Sequence, residues 1–234
     1  MGTVPREQAS SALIFDFDGV VADSETLANA VLAEFVSALG PPTTLDDALS
    51  RYCGRRSVDV MAAIETDVGK PLPPDFAERL KLATLDRFRD DLQEVRGASA
   101  FIRKFGGVPR CIASSSSADR LALCLSLLGL EAEFAGTVFS ADQVARGKPY
   151  PDIFLLAARR LGVDPRACLV IEDSAGGIRA ATAAGMTAIG LCAASHIRDG
   201  HAARLQEAGA VHMASSWAEV EVIAARLLGP MHSC

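Results

Sequence analysis

The sequence predicts an α/β fold, a doubly wound parallel sheet carrying an inserted all-helical block. Three observations lead there. After Gly97, short apolar runs alternate with helical patterns as far as Leu228, the order that builds a parallel sheet with crossover helices. Before Gly97, one apolar run stands alone, Leu13 to Phe17. Its hydrophobic residues do not alternate with polar ones, as expected of a central strand buried on both faces. Between Thr26 and Val95 no strand-like run occurs. The expected division is therefore 1–22 and 95–234 for the sheet-bearing core and 23–94 for the helical block.

Each element has its own signal. Leu13 to Phe17 leaves through a turn or small flap over Gly19 to Asp23. Ser24 to Leu39 reads as a helix, with Ser24 as a candidate N-cap, Glu25 in the first turn and Leu27, Val31, Leu32, Phe35 and Leu39 at helical spacing. Gly40-Pro-Pro stops it. Leu45 to Tyr52, Ser57 to Val68 and Pro74 to Leu92 are further helices. Then come helix Ala98 to Phe105, strand Val108 to Ala113, helix Ser117 to Leu128 and strand Gly136 to Phe139. Helix Pro151 to Leu161, with proline in its first turn, follows. Strand Ala167 to Ile171, helix Ala175 to Ala184 and strand Thr187 to Leu191 continue the alternation. Helix Ala202 to Ala208, strand Val211 to Met213 and helix Trp217 to Leu228 complete it.

Composition narrows the function. Half of the 234 residues are hydrophobic, enough for a sizeable core, and the net charge is -6 with no basic tract. Nucleic-acid binding is therefore not expected as the main activity. The six cysteines include no C-x-x-C pair and lie scattered through apparent core segments, which fits a reducing cytoplasm better than a disulfide framework. Met1 to Ser10 lacks the apolar centre of a secretory signal. Ala180 to Ile197 contains no Asp, Glu, Lys or Arg, yet it is rich in Ala, Gly, Thr and Ser, and Gly185 and Gly190 divide it. It reads as a helix end and a short strand, with no membrane association expected.

The chemistry gathers where the strands end. The first strand delivers Asp16-Phe-Asp18 to its tip. Side chains at i and i+2 of a strand share a side, so the two carboxylates should crowd each other. Two like charges that close need a cation between them or a strongly shifted pKa; a plain Asp-Gly turn is the alternative. In doubly wound sheets ligands bind outside the C-terminal strand ends. Ser114-Ser-Ser-Ser117, Glu172-Asp173-Ser174 and Gly147-Lys148-Pro149 fall there too. Separately, these read as a helix cap, an acid-decorated helix start and a solvated turn. Together they place up to four carboxylates, a lysine and hydroxyls at one edge. Such acids need a hard cation, and oxygen ligands with open water positions suit Mg²⁺. The hydroxyls and helix N-terminal amides favour an anion, phosphate above all.

Asp16-Phe-Asp18-Gly-Val-Val, Ser114, Lys148-Pro149 and Glu172-Asp173-Ser174 resemble, in order and spacing, the four motifs of the haloacid dehalogenase superfamily. Ile171-Glu-Asp-Ser-Ala-Gly-Gly-Ile-Arg-Ala-Ala and Ala184-Gly-Met are similar to its β-phosphoglucomutase-like subgroup, whose Rossmann-like core carries a helical cap in the position of the block described above. The resemblance implies roles. Asp16 would be the nucleophile that takes up a phosphoryl group, and a Mg²⁺ ligand. Asp18 would bind Mg²⁺ through its main-chain carbonyl and use its side chain as acid and base. Ser114, with Ser115 of the same run, and Lys148 would hold phosphoryl oxygens. Asp173 would be a direct metal ligand, and Glu172 a direct or outer one. Dehalogenases of the superfamily lack the second aspartate, so Asp18 points to phosphoryl transfer.

The match to the mutase itself is incomplete. Its cap histidine falls at Ala28 here, and no histidine lies in the cap. Its cap-loop lysine position is Cys53, within Tyr52-Cys53-Gly54-Arg55-Arg56-Ser57. A cap lysine for Schiff-base chemistry is also missing, since Lys70 and Lys81 are wrongly spaced. The expectation is a Mg²⁺-dependent phosphatase for a small phosphorylated metabolite, a sugar phosphate first, with Glu25, Gly54, Arg55 and Arg56 as candidate substrate contacts. A phosphomutase and a catalytically silent binding protein are the alternatives. Trp217 and the four histidines, His196, His201, His212 and His232, read as structural or superficial. A monomer is the default expectation.

Overall fold

The computed structural model describes residues 11–53 and 57–229. Six parallel strands form one sheet in the order β3-β2-β1-β4-β5-β6. They are β1 (Ala12–Phe15), β2 (Arg110–Ser114), β3 (Val138–Ser140), β4 (Cys168–Glu172), β5 (Thr187–Leu191) and β6 (His212–Ala214). The chain runs from β1 outward on one side and then returns to β1 to build the other. This order reversal opens a crevice at the C-terminal end of β1, between β2 and β4.

β1 is buried at every position. Leu13 and Phe15 face a core shared with α5 (Ala98–Lys104), α6 (Ala118–Leu127) and α10 (Trp217–Leu228). Ala12 and Ile14 face the opposite core, built with α7 (Asp152–Leu161), α8 (Ala175–Ala183) and α9 (His201–Glu207). Two buried faces explain why the β1 run carries no polar alternation. Trp217, read as structural, packs against Phe15 and Phe101 and donates from Nε1 to the Val20 carbonyl at 3.3 Å.

Among the described residues, four helices lie between β1 and α5: α1 (Glu25–Ser37), α2 (Leu45–Arg51), α3 (Ser57–Val68) and α4 (Phe76–Asp91). They close around their own apolar cluster of Leu32, Val36, Ala48, Tyr52, Val60, Ile64 and Phe76. Two chain crossings join this insert to the sheet side by side. Asp23 N–H donates to the Gln93 carbonyl and Val95 N–H to the Val21 carbonyl, each at 2.9 Å. Phe88 and Leu92 at the end of α4 belong to the sheet-side core instead, so the insert rests on the core through α4. The expected N-cap role of Ser24 does not hold: its hydroxyl makes no cap bond to α1, because it is engaged at Asp18. No helix among the described residues is long and apolar enough to cross a membrane. Ala180 to Ile197 resolves into the end of α8, β5 and the loop after it.

Candidate active site

β1 stops at Phe15, but Asp16 N–H still donates to the Ile171 carbonyl at 3.0 Å, which holds Asp16 beside the end of β4. Glu172 is the last residue of β4 and Asp173 follows it. One carboxylate oxygen from each of Asp16, Glu172 and Asp173 lies within 4.8 Å of the other two. All three residues are buried. Lys148 reaches in from the loop before α7. Its ammonium donates to Asp16 Oδ1 at 2.8 Å and to Glu172 Oε1 at 2.6 Å, and its side chain is only 7% exposed.

Glu172 is fixed on its other side as well. Its Oε2 accepts from the Ser174 amide at 2.8 Å and hydroxyl at 2.9 Å, and the Ser174 hydroxyl accepts from Gly177 N–H at 3.0 Å to cap α8. A β-carbon on Gly177 would overlap the Glu172 carboxylate. Glycine at that point of α8 is therefore what lets an acid sit against the helix start, where the helix dipole favours it.

The two aspartates of the first motif do not crowd each other as expected. The strand ends before Asp16, so alternation of side chains no longer governs Asp18. Its carboxylate points instead to Ser24, Ser116 and Arg120, each donating at 2.5 Å. Of the up to four carboxylates expected at this edge, Asp16, Glu172 and Asp173 form the close cluster. The Arg120 guanidinium is also stacked 4.9 Å from the Phe88 ring of α4. The two environments drive the carboxyls apart. Burial, then the charge of Glu172, pushes Asp16 well above the usual carboxylate range, only partly opposed by Lys148. Burial also pushes Asp18 up, but the Arg120 charge and the Ser116 and Ser24 hydroxyls outweigh it, and its net shift is downward. Asp173 rises to about 6, through burial and Glu172 against a hydrogen bond from His196. Lys148 rises despite burial because two acids hold its proton.

Three acids forced together, two of them raised, have an excess of negative charge that one lysine does not cancel. Their oxygens are hard donors, and the cluster fits a hard divalent cation.

Other candidates are placed as follows. Ser114 is buried at the tip of β2, its Oγ accepting from Ser116 N–H at 3.1 Å. Ser115 is exposed at the same tip. Glu25 is half-buried at the start of α1, its Oε2 accepting from Asn29 Nδ2 at 3.0 Å and from the Cys53 thiol at 3.4 Å. Gly54, Arg55 and Arg56 lie outside the described residues. Two of the histidines read as structural or superficial meet Asp173. His196 is buried with Nε2 at 3.2 Å from Asp173 Oδ2, and His201 Nε2 is 2.6 Å from the Asp173 carbonyl. Sequence reading also missed Ser116, Arg120 and the hydroxyl of Ser24. Ser116 was visible as part of the serine run and Ser24 as a cap, while Arg120 carried no signal.

Residues 11–185 match the family model described as haloacid dehalogenase-like hydrolase. The chain belongs to this hydrolase family. It is 36% identical over 207 residues to a phosphorylated carbohydrates phosphatase of Thermotoga maritima, covering 86% of this chain and 92% of that one. It is 31% identical over 185 residues, 78% of its length, to a bifunctional riboflavin kinase/FMN phosphatase of Arabidopsis thaliana, of which it spans 48%. A solved family hydrolase from Deinococcus radiodurans, with bound phosphate and sodium, superposes at a TM-score of 0.76 with 32% identity, over 97% of this chain and 100% of that one. The sheet with its helical insert is thus a shared architecture, and the two curated relatives carry a phosphatase activity in their names.

Proposed function

We propose that this enzyme is a Mg²⁺-dependent phosphatase that hydrolyses the phosphate monoester of a small hydroxylated metabolite, a sugar phosphate, through an aspartyl-phosphate on Asp16. The observation that carries the proposal is the partition of the two aspartates. Asp16 lies in the acid cluster under Lys148, and Asp18 lies apart, held by Ser24, Ser116 and Arg120. A nucleophile and a separate proton-transfer group are what a two-step phosphoryl transfer requires.

In the first step Asp16 attacks phosphorus, the P–O bond to the metabolite breaks, and the leaving oxygen takes a proton from Asp18. In the second, Asp18 takes a proton from water, whose oxygen attacks phosphorus and releases phosphate and Asp16. Asp18 is anionic in its present contacts, which suits the second step. Donating in the first requires that it be protonated and released from Arg120. Lys148 lowers the Asp16 pKa against burial and Glu172 and would offset charge on the incoming phosphoryl group, while the Ser114 hydroxyl and the amides of the following turn would serve phosphoryl oxygens. Asp16, Glu172, Asp173 and the Asp18 carbonyl would hold a Mg²⁺ ion, which when bound supplies charge neutralisation at the phosphoryl oxygens.

The helical insert would act as the cap that closes on the substrate and excludes water during the first step. Glu25, at the start of α1, would accept substrate hydroxyls, which favours a polyol or sugar over a second acidic group. The carbohydrate-phosphate relative supports the same class. Asp16→Asn should abolish phosphate release from a panel of sugar phosphates with Mg²⁺ while the fold is kept. Turnover near wild type would sink the mechanism. With a hexose 1-phosphate and its bisphosphate, free phosphate is expected. Net isomerisation would favour the mutase reading, against which Ala28 stands in place of the cap histidine.

A further inference from the structure

The phosphoryl-transfer scheme leaves two imidazoles unused. Both sit on the segment from β5 into α9, and both end on one residue, Asp173. His201 Nε2 meets the Asp173 carbonyl at 2.6 Å, and a carbonyl only accepts, so His201 donates from Nε2. Its Nδ1 then accepts from Arg204 Nη2 at 3.1 Å. His196 Nε2 lies 3.2 Å from Asp173 Oδ2. The two rings meet edge to face at 5.8 Å.

His196 is not a loosely packed surface ring. Its side chain is 6% exposed, and Nδ1 has no hydrogen-bond partner among the described residues. A β-carbon on Gly19 would come within 2.8 Å of its Cε1. An unsatisfied buried nitrogen costs free energy, so the contact with Asp173 has a structural cost that a plain apolar filler would avoid. The preceding residue ties the segment to the start of the insert. Ser195 donates to the Asp23 carboxylate from its amide at 3.0 Å and its hydroxyl at 2.8 Å.

We infer that His196 is a positioning residue that fixes the Asp173 carboxylate for a bound divalent cation, and that the Asp23–Ser195 clasp holds His196 in place. The inference rests on reading the acid cluster as a metal site. Without the imidazole, the Asp173 carboxylate is free to turn away from Asp16 and Glu172. Loss of such an outer partner typically weakens metal binding about 10–100-fold.

The test is calorimetric titration of the full chain with MgCl₂, without substrate. His196→Ala should bind Mg²⁺ about 10–100-fold more weakly than wild type, and His196→Gln, which restores an N–H donor, should recover much of the loss. The Mg²⁺ concentration giving half-maximal hydrolysis should rise by the same factor, with a smaller change in kcat. Unchanged Mg²⁺ affinity in His196→Ala would overturn the inference. Should that variant not fold, Asp23→Ala is expected to weaken Mg²⁺ binding in the same direction, and unchanged affinity there would overturn it equally. A wild-type chain that binds no Mg²⁺ would overturn the metal reading itself. One that binds Mg²⁺ but hydrolyses no phosphate ester would refute the phosphatase proposal and leave this inference to the calorimetry.

Discussion

Lys148→Met removes the ammonium from the acid cluster while keeping an apolar stem of similar length near Phe154, whose ring centre is 5.1 Å from Nζ. Two close contacts disappear, 2.8 Å to Asp16 and 2.6 Å to Glu172, in a place where the lysine is 7% and Glu172 0% exposed. Breaking one side of a buried ion pair costs about 3–5 kcal/mol, because the partner charge is left uncompensated. Here Asp16, already raised by burial and Glu172, can relieve the variant by taking up a proton. We therefore expect a metal-free loss of about 3 kcal/mol above neutral pH, shrinking as the pH falls. For a chain of this size that is a melting temperature lower by about 6–12 °C. Activity should fall further. The fraction of Asp16 present as nucleophilic carboxylate drops, and a positive group near the transferring phosphoryl is lost, together about 10²–10³ in kcat or more. Because Lys148 lowers the Asp16 pKa, its removal moves the acid limb of the pH–rate profile upward. The assay is the pH dependence of kcat/KM on a chromogenic phosphate ester, with calorimetric melting alongside. Lysine-free activity within about tenfold of wild type, with an unmoved acid limb, would refute the assignment.

Two further outcomes follow from the same electrostatics. Arg120→Met takes away the main group holding the Asp18 carboxyl low, so the Asp18 pKa rises and the acid side of the kcat profile should shift to higher pH, while Mg²⁺ affinity by calorimetry stays near wild type. In the absence of divalent metal, the folded state binds more protons than the unfolded one, since Asp16 is raised and Asp173 stands at about 6. Stability contributed by those protons is present at low pH and lost as pH rises through the folded-state values. The metal-free melting temperature should therefore climb from about pH 7.5 to about pH 5.5, and saturating Mg²⁺ should flatten or reverse that slope. A metal-free slope of the opposite sign would contradict the crowded-acid description.

What the sequence made legible, and what it did not, divides by the range of the contacts. β1 announced itself because Leu13 and Phe15 serve one core and Ala12 and Ile14 the other, leaving no polar position. The helical insert was readable because its apolar residues close on one another locally. Asp16, Lys148, Glu172 and Asp173 stood out because each follows or approaches a strand end, and the sheet order brings those ends together. The partners of Asp18 were hidden. Arg120 is a helix residue 102 positions away in sequence, and nothing local distinguishes it from a solvated surface charge. Ser24 was legible only as a cap, because a serine before a helix usually is one. His196 belongs to a loop after β5, and its contact with Asp173 depends on β4 and β5 being neighbours. The crowding expected of Asp16 and Asp18 failed for a local reason: the strand ends at Phe15, and Gly19, at φ +76°, begins a turn that sends the chain toward the insert.

The central claim is that Asp16 carries the phosphoryl group. Acid-quenching the enzyme during turnover of a sugar phosphate with Mg²⁺, then mapping its peptides by mass spectrometry, tests this directly. The expected result is a single acid-stable, base-labile phosphoryl adduct on the peptide containing Asp16, absent from Asp16→Asn. A phosphoryl group found on any other residue, or full turnover by Asp16→Asn, would contradict the account.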